Sequence, residues 1–257
     1  HQNLQKSLDR LSSGKRITDA SDDAGGLAVS MKLEHSINGL KGVATGISNG
    51  ISILQVMDGV LASAGEIVSR IGELKSMYDD VTKNTADGDT YESEASALIT
   101  QLGALATNSK FNGITLFDAG AAVKTVNLDI DGTTSLDITS HNFSADATNA
   151  TKTKAMVDDG GTDLSDAAFA AAEISTALGE IAALRATNGG EVNRLQFAVA
   201  DVNTQITNMT AANGRIMDVD IAAESANLAK QQILVQASAA MVAQANSANN
   251  VALTLLQ

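Results

Sequence analysis

Two short motifs in the chain carry residue types that could do chemistry. Gly46-Ile-Ser-Asn-Gly50 matches G-x-S-x-G, the pattern that exposes a serine nucleophile on a strand-to-helix turn. It lies within a long helical pattern, however, so the sequence predicts no strand before it and no catalytic serine. Asp129-Ile-Asp131-Gly132 resembles the start of a calcium loop but lacks the third acidic position and the distant bidentate glutamate. We therefore predict a hairpin turn there, with no metal and no cofactor.

The composition excludes several other classes of function. There are no cysteines, which rules out disulfides, thiolate metal sites and cysteine nucleophiles, and the three histidines are scattered along the chain. A formal net charge of −13 argues against nucleic acid as a partner. No run reaches about 18 consecutive apolar residues, so we expect no membrane insertion. We predict that the protein is not an enzyme.

The elements that remain are mostly helices. Proline is absent from all 257 residues, so nothing forces a long helix to break. Leu4, Leu8 and Leu11 follow helical spacing and are expected to pack on the C-terminal helix. A second helix is predicted from about 22 to 82, with Ser21 as its cap. A third is predicted to start at a capping box of Asp89 and Glu92 and to end near Asn108.

Apolar residues in the two halves of the chain recur every three or four positions, which is typical of a coiled coil. The expected intramolecular seam consists of Ile67, Ile71, Val192, Leu195, Val199, Val202, Ile206 and Met209. Arg185 and Asn188 interrupt this pattern. They either face solvent or are satisfied locally, or they set the register of the pair.

Between these helical regions the periodicity changes to two. Val126, Leu128 and Ile130 alternate with polar residues, as do Leu136 and Ile138, which predicts a small β-hairpin. Residues 141–163 are rich in small polar residues and are predicted to be loop. The expected fold is mainly α: a long antiparallel coiled-coil helical rod formed by the N- and C-terminal segments, with the β-hairpin region at the tip.

Glycines at helical spacing form a second candidate surface within the first long helix. Gly39, Gly42, Gly46 and Gly50 share one side of the helix, where each costs about 0.5–1 kcal/mol relative to alanine. Such a strip allows close backbone approach, and we predict that it packs against another subunit. The surplus of apolar surface on the last segment, from 221 to 257, likewise predicts assembly with copies of the same chain.

At this point the sequence resembles bacterial flagellin, the subunit of the flagellar filament. The motifs that carry the resemblance are Leu11–Ile17, Asp22–Gly25, Asn49–Gln55, Lys110–Ile114, Arg215–Asp220, Gln231–Ala237, Ala243–Asn246 and Leu253–Leu256. The resemblance implies a structural filament subunit that assembles with itself, is exported by the type III route and is extracellular. It also implies export-chaperone and cap proteins as partners.

The resemblance further implies a division into layers. Residues 1–14 and 218–257 would form the inner filament layer, 15–117 and 164–217 the helical rod domain, and 118–163 the hairpin and loop region. The resemblance also implies that about twenty family residues belong before His1, so we expect the chain as given to polymerise poorly. A Toll-like receptor of animal hosts recognises many flagellins, and the matching contacts here would be Arg70, Leu74 and Glu94, although Gly72 replaces a frequently basic residue.

Two alternative functions share features with that of a filament subunit. A hook–filament junction protein has similar terminal helices, and a cell-surface flagellin homologue could bind an extracellular polysaccharide. The match of both ends to the filament subunit argues against the first. The absence of tryptophan and the presence of only two tyrosines argue against the second, since sugar sites favour aromatic side chains.

Overall fold

The computed structural model describes residues 2–117, 124–138, 164, 165 and 167–255. Over these ranges the elements, in chain order, are α1 (Gln2–Ser13), α2 (Ala24–Tyr78), α3 (Thr85–Asn108), β1 (Lys110–Phe111), β2 (Ile114–Thr115), β3 (Lys124–Asn127), β4 (Ser135–Ile138), a 3-10 turn (Ala167–Phe169), α4 (Ala171–Met217) and α5 (Ile221–Leu255). The mainly helical fold predicted from the sequence is confirmed. The predicted loop at 141–163 lies outside the described residues.

The chain forms two compact units. Unit 1 comprises His1–Gly39 and Thr204–Gln257, and unit 2 comprises Leu40–Asn203. In each unit a part of α2 packs against a part of α4. In unit 1 the Ser30 hydroxyl donates to Asn213 Oδ1 at 2.7 Å. In unit 2 a methyl group placed on Gly65 would lie 3.7 Å from Ile181 Cγ2.

The packing in unit 2 follows a seven-residue repeat on both helices, as the sequence pattern predicted. The buried positions on α2 are Leu40, Ile47, Leu54, Leu61 and Val68, with Met57, Ala64 and Ile71 between them. Those on α4 are Ile174, Ile181, Asn188, Leu195 and Val202, with Ala177 and Leu184 between them. Residue numbers rise along α2 as they fall along α4, so the two helices are antiparallel here.

The bounds of α2 correct the sequence prediction at both ends. Asp23, and not Ser21, accepts the first free backbone N–H, from Gly26 at 2.8 Å. The helix ends at Tyr78 instead of 82, because the Asp80 carboxylate accepts the Thr82 amide at 2.9 Å and so competes with the helical hydrogen bonds. Val81, which follows the apolar spacing, is 98% exposed.

The start of α3 also differs from the prediction. Its cap is Asn84, whose side chain accepts the Asp87 amide at 3.0 Å, while Asp87 Oδ2 accepts the Asn84 amide at 3.3 Å. This is the reciprocal arrangement of a capping box. The predicted box at Asp89 was therefore wrong by about one turn, because Asp87 is an equally good acidic partner and adds a turn of helix.

The β-hairpin predicted around Val126 is present as antiparallel β3 and β4, in which Val126 pairs with Leu136. A second, shorter hairpin, β1–β2, was not predicted. Its two-residue turn is Asn112-Gly113, with φ of 49° and 79°. Asn-Gly is the sequence signal for such a turn, since both positions need positive φ.

Helix α1 packs on α5 in unit 1. Its buried residue is Ser7, whereas Leu8 is 42% exposed. Leu8 is thus the most exposed of the three leucines expected to pack on the C-terminal helix, since Leu4 and Leu11 are half-buried. Ser7 Oγ accepts a hydrogen bond from Asn227 Nδ2 of α5 at 3.4 Å, so a polar contact occupies the centre of this helix pair.

Helix α2 is long and apolar enough to cross a membrane by length and composition alone. Its most apolar 18-residue window has a mean hydropathy of 1.5, and 28% of that window is buried. A single helix of this kind is weak evidence for a membrane span, because the core helix of a water-soluble protein has the same composition. In unit 2 the apolar positions of α2 pack against α4.

Candidate functional site

The segment between α1 and α2 is held by backbone pairing in unit 1. Lys15 and Asp218 form an antiparallel bridge, and the Val219 amide donates to the Gly14 carbonyl at 3.1 Å. Arg16 donates from Nε and Nη2 to the Ile216 carbonyl at 3.2 and 2.9 Å. The guanidinium thus satisfies a free carbonyl at the C-terminus of α4, where the helix dipole favours a cation.

A charged cluster joins the same segment to α1 and α5. Asp22, with 3% of its side chain exposed, forms an ion pair with Lys6 and accepts the Thr18 amide and hydroxyl at 3.3 and 3.2 Å. Arg10 lies between Asp22, at 3.8 Å, and Glu224, at 3.9 Å. The hydrogen bond from Lys6 lowers the pKa of Asp22 to about 2. The sequence pattern assigned Asp22 only to a helix start, because its ion-pair partners Lys6 and Arg10 lie on a different helix, α1.

Of the three candidate receptor contacts, two lie on the surface of unit 2. Arg70 Nε donates to Glu94 Oε1 at 2.9 Å, and Arg70 Nη1 donates to Glu73 Oε2 at 2.8 Å. The carboxylates of Glu73 and Glu94 raise the pKa of Arg70. Leu74 is fully buried. The structure therefore brings Arg70 and Glu94 together as an exposed pair and places Leu74 in the core beneath.

The four glycines of the predicted strip have different surroundings. Gly42 and Gly46 are exposed, with nothing within 4 Å of where a side-chain methyl would sit. Gly39 is partly exposed. Gly50 is buried, and a methyl group there would lie 2.8 Å from Val126 Cγ2 and 3.3 Å from Leu195 Cδ1. Gly50 thus allows β3 and α4 of the same chain to approach α2, so it is not available to a neighbouring subunit.

The eight seam candidates are buried to different extents. Ile71, Leu195 and Val202 are buried. The other candidates flank the packed stripe and are partly exposed: Ile67, Val192, Val199, Ile206 and Met209. On α2 the buried residue at this point is Val68, whereas the spacing had selected its neighbour Ile67. A flanking residue keeps apolar contact on one side only.

The residues that interrupt the seam both contact α2 in unit 2. Arg185 donates from Nε and Nη2 to the two carboxylate oxygens of Asp58 at 2.9 and 3.1 Å. Asn188 is 1% exposed, and its Nδ2 donates to the Leu54 carbonyl at 2.7 Å. The Asn188 side-chain nitrogen therefore bonds to the backbone of the neighbouring helix rather than locally or to solvent.

The two motifs that could have indicated chemistry have structural roles. Gly46–Gly50 lies wholly inside α2, with helix on both sides, so Ser48 is not on a strand-to-helix turn. The Asp129 carboxylate accepts the Thr133 hydroxyl at 2.6 Å and the Thr134 amide at 2.7 Å, which closes the turn between β3 and β4. The hydrogen bond from Thr133 lowers the pKa of Asp129. Among the residues described, no three acidic or histidine side chains converge as a metal site would require.

Helix α5 exposes a large part of its apolar side chains. The exposed fractions are 61% for Ile221, 65% for Ile233, 49% for Leu234, 67% for Met241 and 61% for Val242. A shallow groove of about 540 Å³ runs along Leu234, Val235, Ser238, Ala239 and Val242. Long helices, a core made of helix seams and a helix with many exposed apolar side chains define a helical structural protein.

Comparison with known proteins agrees with this class. The sequence model of the bacterial flagellin N-terminal helical region matches residues 1–122, and that of the C-terminal helical region matches residues 171–256. The chain is 33% identical to the flagellar filament 33 kDa core protein of Treponema phagedenis, covering 99% of this chain and 92% of that protein. It is 33% identical to flagellin FlaB2 of Treponema pallidum, over 100% and 94%.

The similarity extends beyond the genus Treponema. Flagellin of Bacillus subtilis is 31% identical over 98% of this chain and 92% of that protein. The crystal structure of Bacillus cereus flagellin aligns with a TM-score of 0.48 at 21% identity, covering 65% of this chain. The chain belongs to the bacterial flagellin family, and it is a structural subunit of the flagellar filament, as the sequence motifs predicted.

Proposed function

We propose that the exposed apolar residues of α5 form the surface through which subunits pack in the filament. In this proposal, residues 1–14 and 218–257 form the inner layer, and residues 15–117 and 164–217 form the helical rod outside it. The proposal rests on the exposure of Ile233, Met241 and Val242, each above 60%, on a single helix of unit 1. Each large apolar side chain contributes about 1.5–3 kcal/mol when it is fully buried, so a neighbouring copy would stabilise this face.

Filament formation by a polar variant tests this surface. Because the unchanged chain is expected to polymerise poorly, filaments are induced with ammonium sulfate, a salt that strengthens apolar burial. We expect Ile233→Gln with Met241→Gln to abolish these tubular filaments, as seen by negative-stain microscopy. The matched control is Val81→Gln, which changes an apolar residue that is 98% exposed in the α2–α3 connection. Filaments formed by the α5 variant as readily as by the unchanged chain would contradict the proposal. Circular dichroism checks that each variant keeps its helices.

We also propose that the chain reaches the cell exterior by type III export and meets an export chaperone and cap proteins on the way, with no enzymatic activity and no membrane insertion. Family membership supports this part of the proposal. Retention of the protein in cells whose flagellar export apparatus has been deleted is the expected result. Secretion from those cells would contradict it.

Recognition by a host Toll-like receptor is proposed through Arg70 and Glu94, with Leu74 as the core residue that supports them. The side chains of Arg70 and Glu94 are 42% and 46% exposed and pair at 2.8 Å, so they form a charged, preorganised patch. We expect Arg70→Ala to weaken the response of receptor-bearing reporter cells. Lys75→Ala, which removes a nearby cation whose side chain is 14% exposed, is the control. Equal responses to both variants would count against this site.

A further inference from the structure

One polar residue interrupts a buried apolar row of α4. Ile174, Ile181, Leu195 and Val202 are buried at intervals of seven residues or multiples of it, and Asn188 occupies the remaining position in that row at 1% exposure. A leucine there would gain apolar burial and would leave no amide to satisfy. A buried asparagine at this position packs less favourably than a leucine would, which indicates that Asn188 has a role other than apolar packing.

The hydrogen bond of Asn188 satisfies only half of its side-chain amide. Nδ2 donates to the Leu54 carbonyl at 2.7 Å, while Oδ1 is buried without a partner. A buried acceptor left unpaired is destabilising, so the residue cannot be explained by stability alone. In a coiled coil, a single buried asparagine selects one register because other registers do not satisfy its amide as well.

Two further contacts distinguish this register from the next one. Arg185 pairs with Asp58 through two hydrogen bonds of 2.9 and 3.1 Å. Leu195 packs where Gly50 leaves room, 3.3 Å from the position of a methyl group on that glycine. If α4 slipped by seven residues along α2, Arg185 would face Gly65 and Leu195 would face Met57. The arginine would lose its carboxylate, and the leucine would meet a bulky side chain.

We propose that Asn188 and Arg185 are positioning residues that set the register of α2 and α4 in unit 2. This inference goes beyond the role of filament subunit. The seam repeats every seven residues, so apart from the Gly50–Leu195 contact it distinguishes poorly between registers that are one repeat apart. The polar pair removes that ambiguity. It therefore decides which residues of α2 and α4 stand side by side on the surfaces of unit 2.

Engineered cysteines test the register directly, because the chain contains no cysteine of its own. Gly65→Cys with Ile181→Cys reports the observed register, since these two positions adjoin. Gly72→Cys with Ile181→Cys reports a slip of seven residues, since Gly72 now adjoins Ile174. We expect the first pair to form a disulfide and the second pair to remain reduced in the otherwise unchanged chain.

Combining each pair with Asn188→Leu and Arg185→Ala should let the slipped disulfide form, with the melting temperature unchanged or higher. The control combines each pair with Thr187→Leu and Arg194→Ala, which make comparable changes at exposed positions of α4, and it should keep the observed register only. A folded Asn188→Leu, Arg185→Ala protein that forms only the Gly65–Ile181 link would overturn the proposal. Loss of the helical circular dichroism signal in that variant would also overturn it, because the residues would then act on stability.

Discussion

At the residue scale, a carboxylate with several hydrogen-bond and ion-pair partners makes the stability of unit 1 depend on pH. Asp22 has a pKa of about 2, below its ordinary 3.8, because Lys6 and Thr18 bind its charged form. A lowered pKa means that the folded state binds fewer protons than the unfolded state. The contribution of Asp22 to stability is therefore complete above about pH 4 and is lost as the pH falls toward 2.

We expect Asp22→Asn to reduce the protection of α1 amides at neutral pH and to flatten the pH dependence of that protection between about 4 and 2. Hydrogen exchange read by mass spectrometry measures both effects. Asp79→Asn, which removes an exposed partner of Lys75 one turn away on the chain, should change neither. Equal protection of α1 in Asp22→Asn and in the unchanged chain would show that the cluster is not needed.

The contribution of Glu191, in unit 2, to stability is expected to depend on pH in the opposite direction. Burial raises the pKa of its carboxyl group above the ordinary 4.5. The folded state then binds more protons than the unfolded one, so its stability falls as the pH rises through the raised pKa. We expect Glu191→Gln to raise the melting temperature at pH 7 by a few degrees at most and to have no effect below about pH 4, since the carboxyl is partly solvated. A lower melting temperature at pH 7 would contradict this.

At the scale of elements, glycines on one helix face have opposite effects according to what they meet. Gly50→Ala would place a methyl group 2.8 Å from Val126 Cγ2, and overpacking of this kind costs about 1–3 kcal/mol. Gly46→Ala meets nothing within 4 Å and should stabilise α2 by about 0.5–1 kcal/mol. Urea unfolding of the two variants measures both values. The same sign for both would show that β3 does not pack closely on α2.

The caps of the helices provide a second test at this scale. Asn84→Ala removes the side chain that accepts the Asp87 amide, and we expect a loss of about 1 kcal/mol. Asp89→Ala, at the position that the sequence pattern selected, should cost much less because Asp89 lies inside the first turns of α3. Thermal unfolding compares the two. A larger effect of Asp89→Ala would indicate that α3 begins later than observed.

At the scale of the whole molecule, charge opposes assembly. Each chain carries a formal charge of −13, so copies repel one another at low ionic strength. Raising sodium chloride from about 10 mM to about 150 mM shortens the screening length from about 30 Å to about 8 Å. We expect the protein concentration needed for sedimentable filaments to fall over this range. A rise in that concentration would mean that salt bridges, and not apolar faces, hold the subunits together.

Local sequence patterns were enough to predict the helices, the central hairpin and the family. Helices and strands depend on spacing and on local residue types, and the absence of proline together with three–four and alternating patterns is visible along the chain. The ends of the helices were predicted less well, because several acidic or hydroxyl residues near each helix start compete as caps. The α2 start at Asp23 and the α3 start at Asn84 show this.

The contacts of the buried polar residues, by contrast, became visible only in the folded chain. Asn188 meets the Leu54 carbonyl 134 positions away along the chain, and Asp22 gathers Lys6 and Arg10 from another helix. Gly42 and Gly50 belong to the same spacing pattern, yet Gly42 is open whereas the side chains of Val126 and Leu195 lie over Gly50. The environment of a side chain depends on chain segments that are distant in sequence. A local sequence pattern does not show which of these segments pack against it.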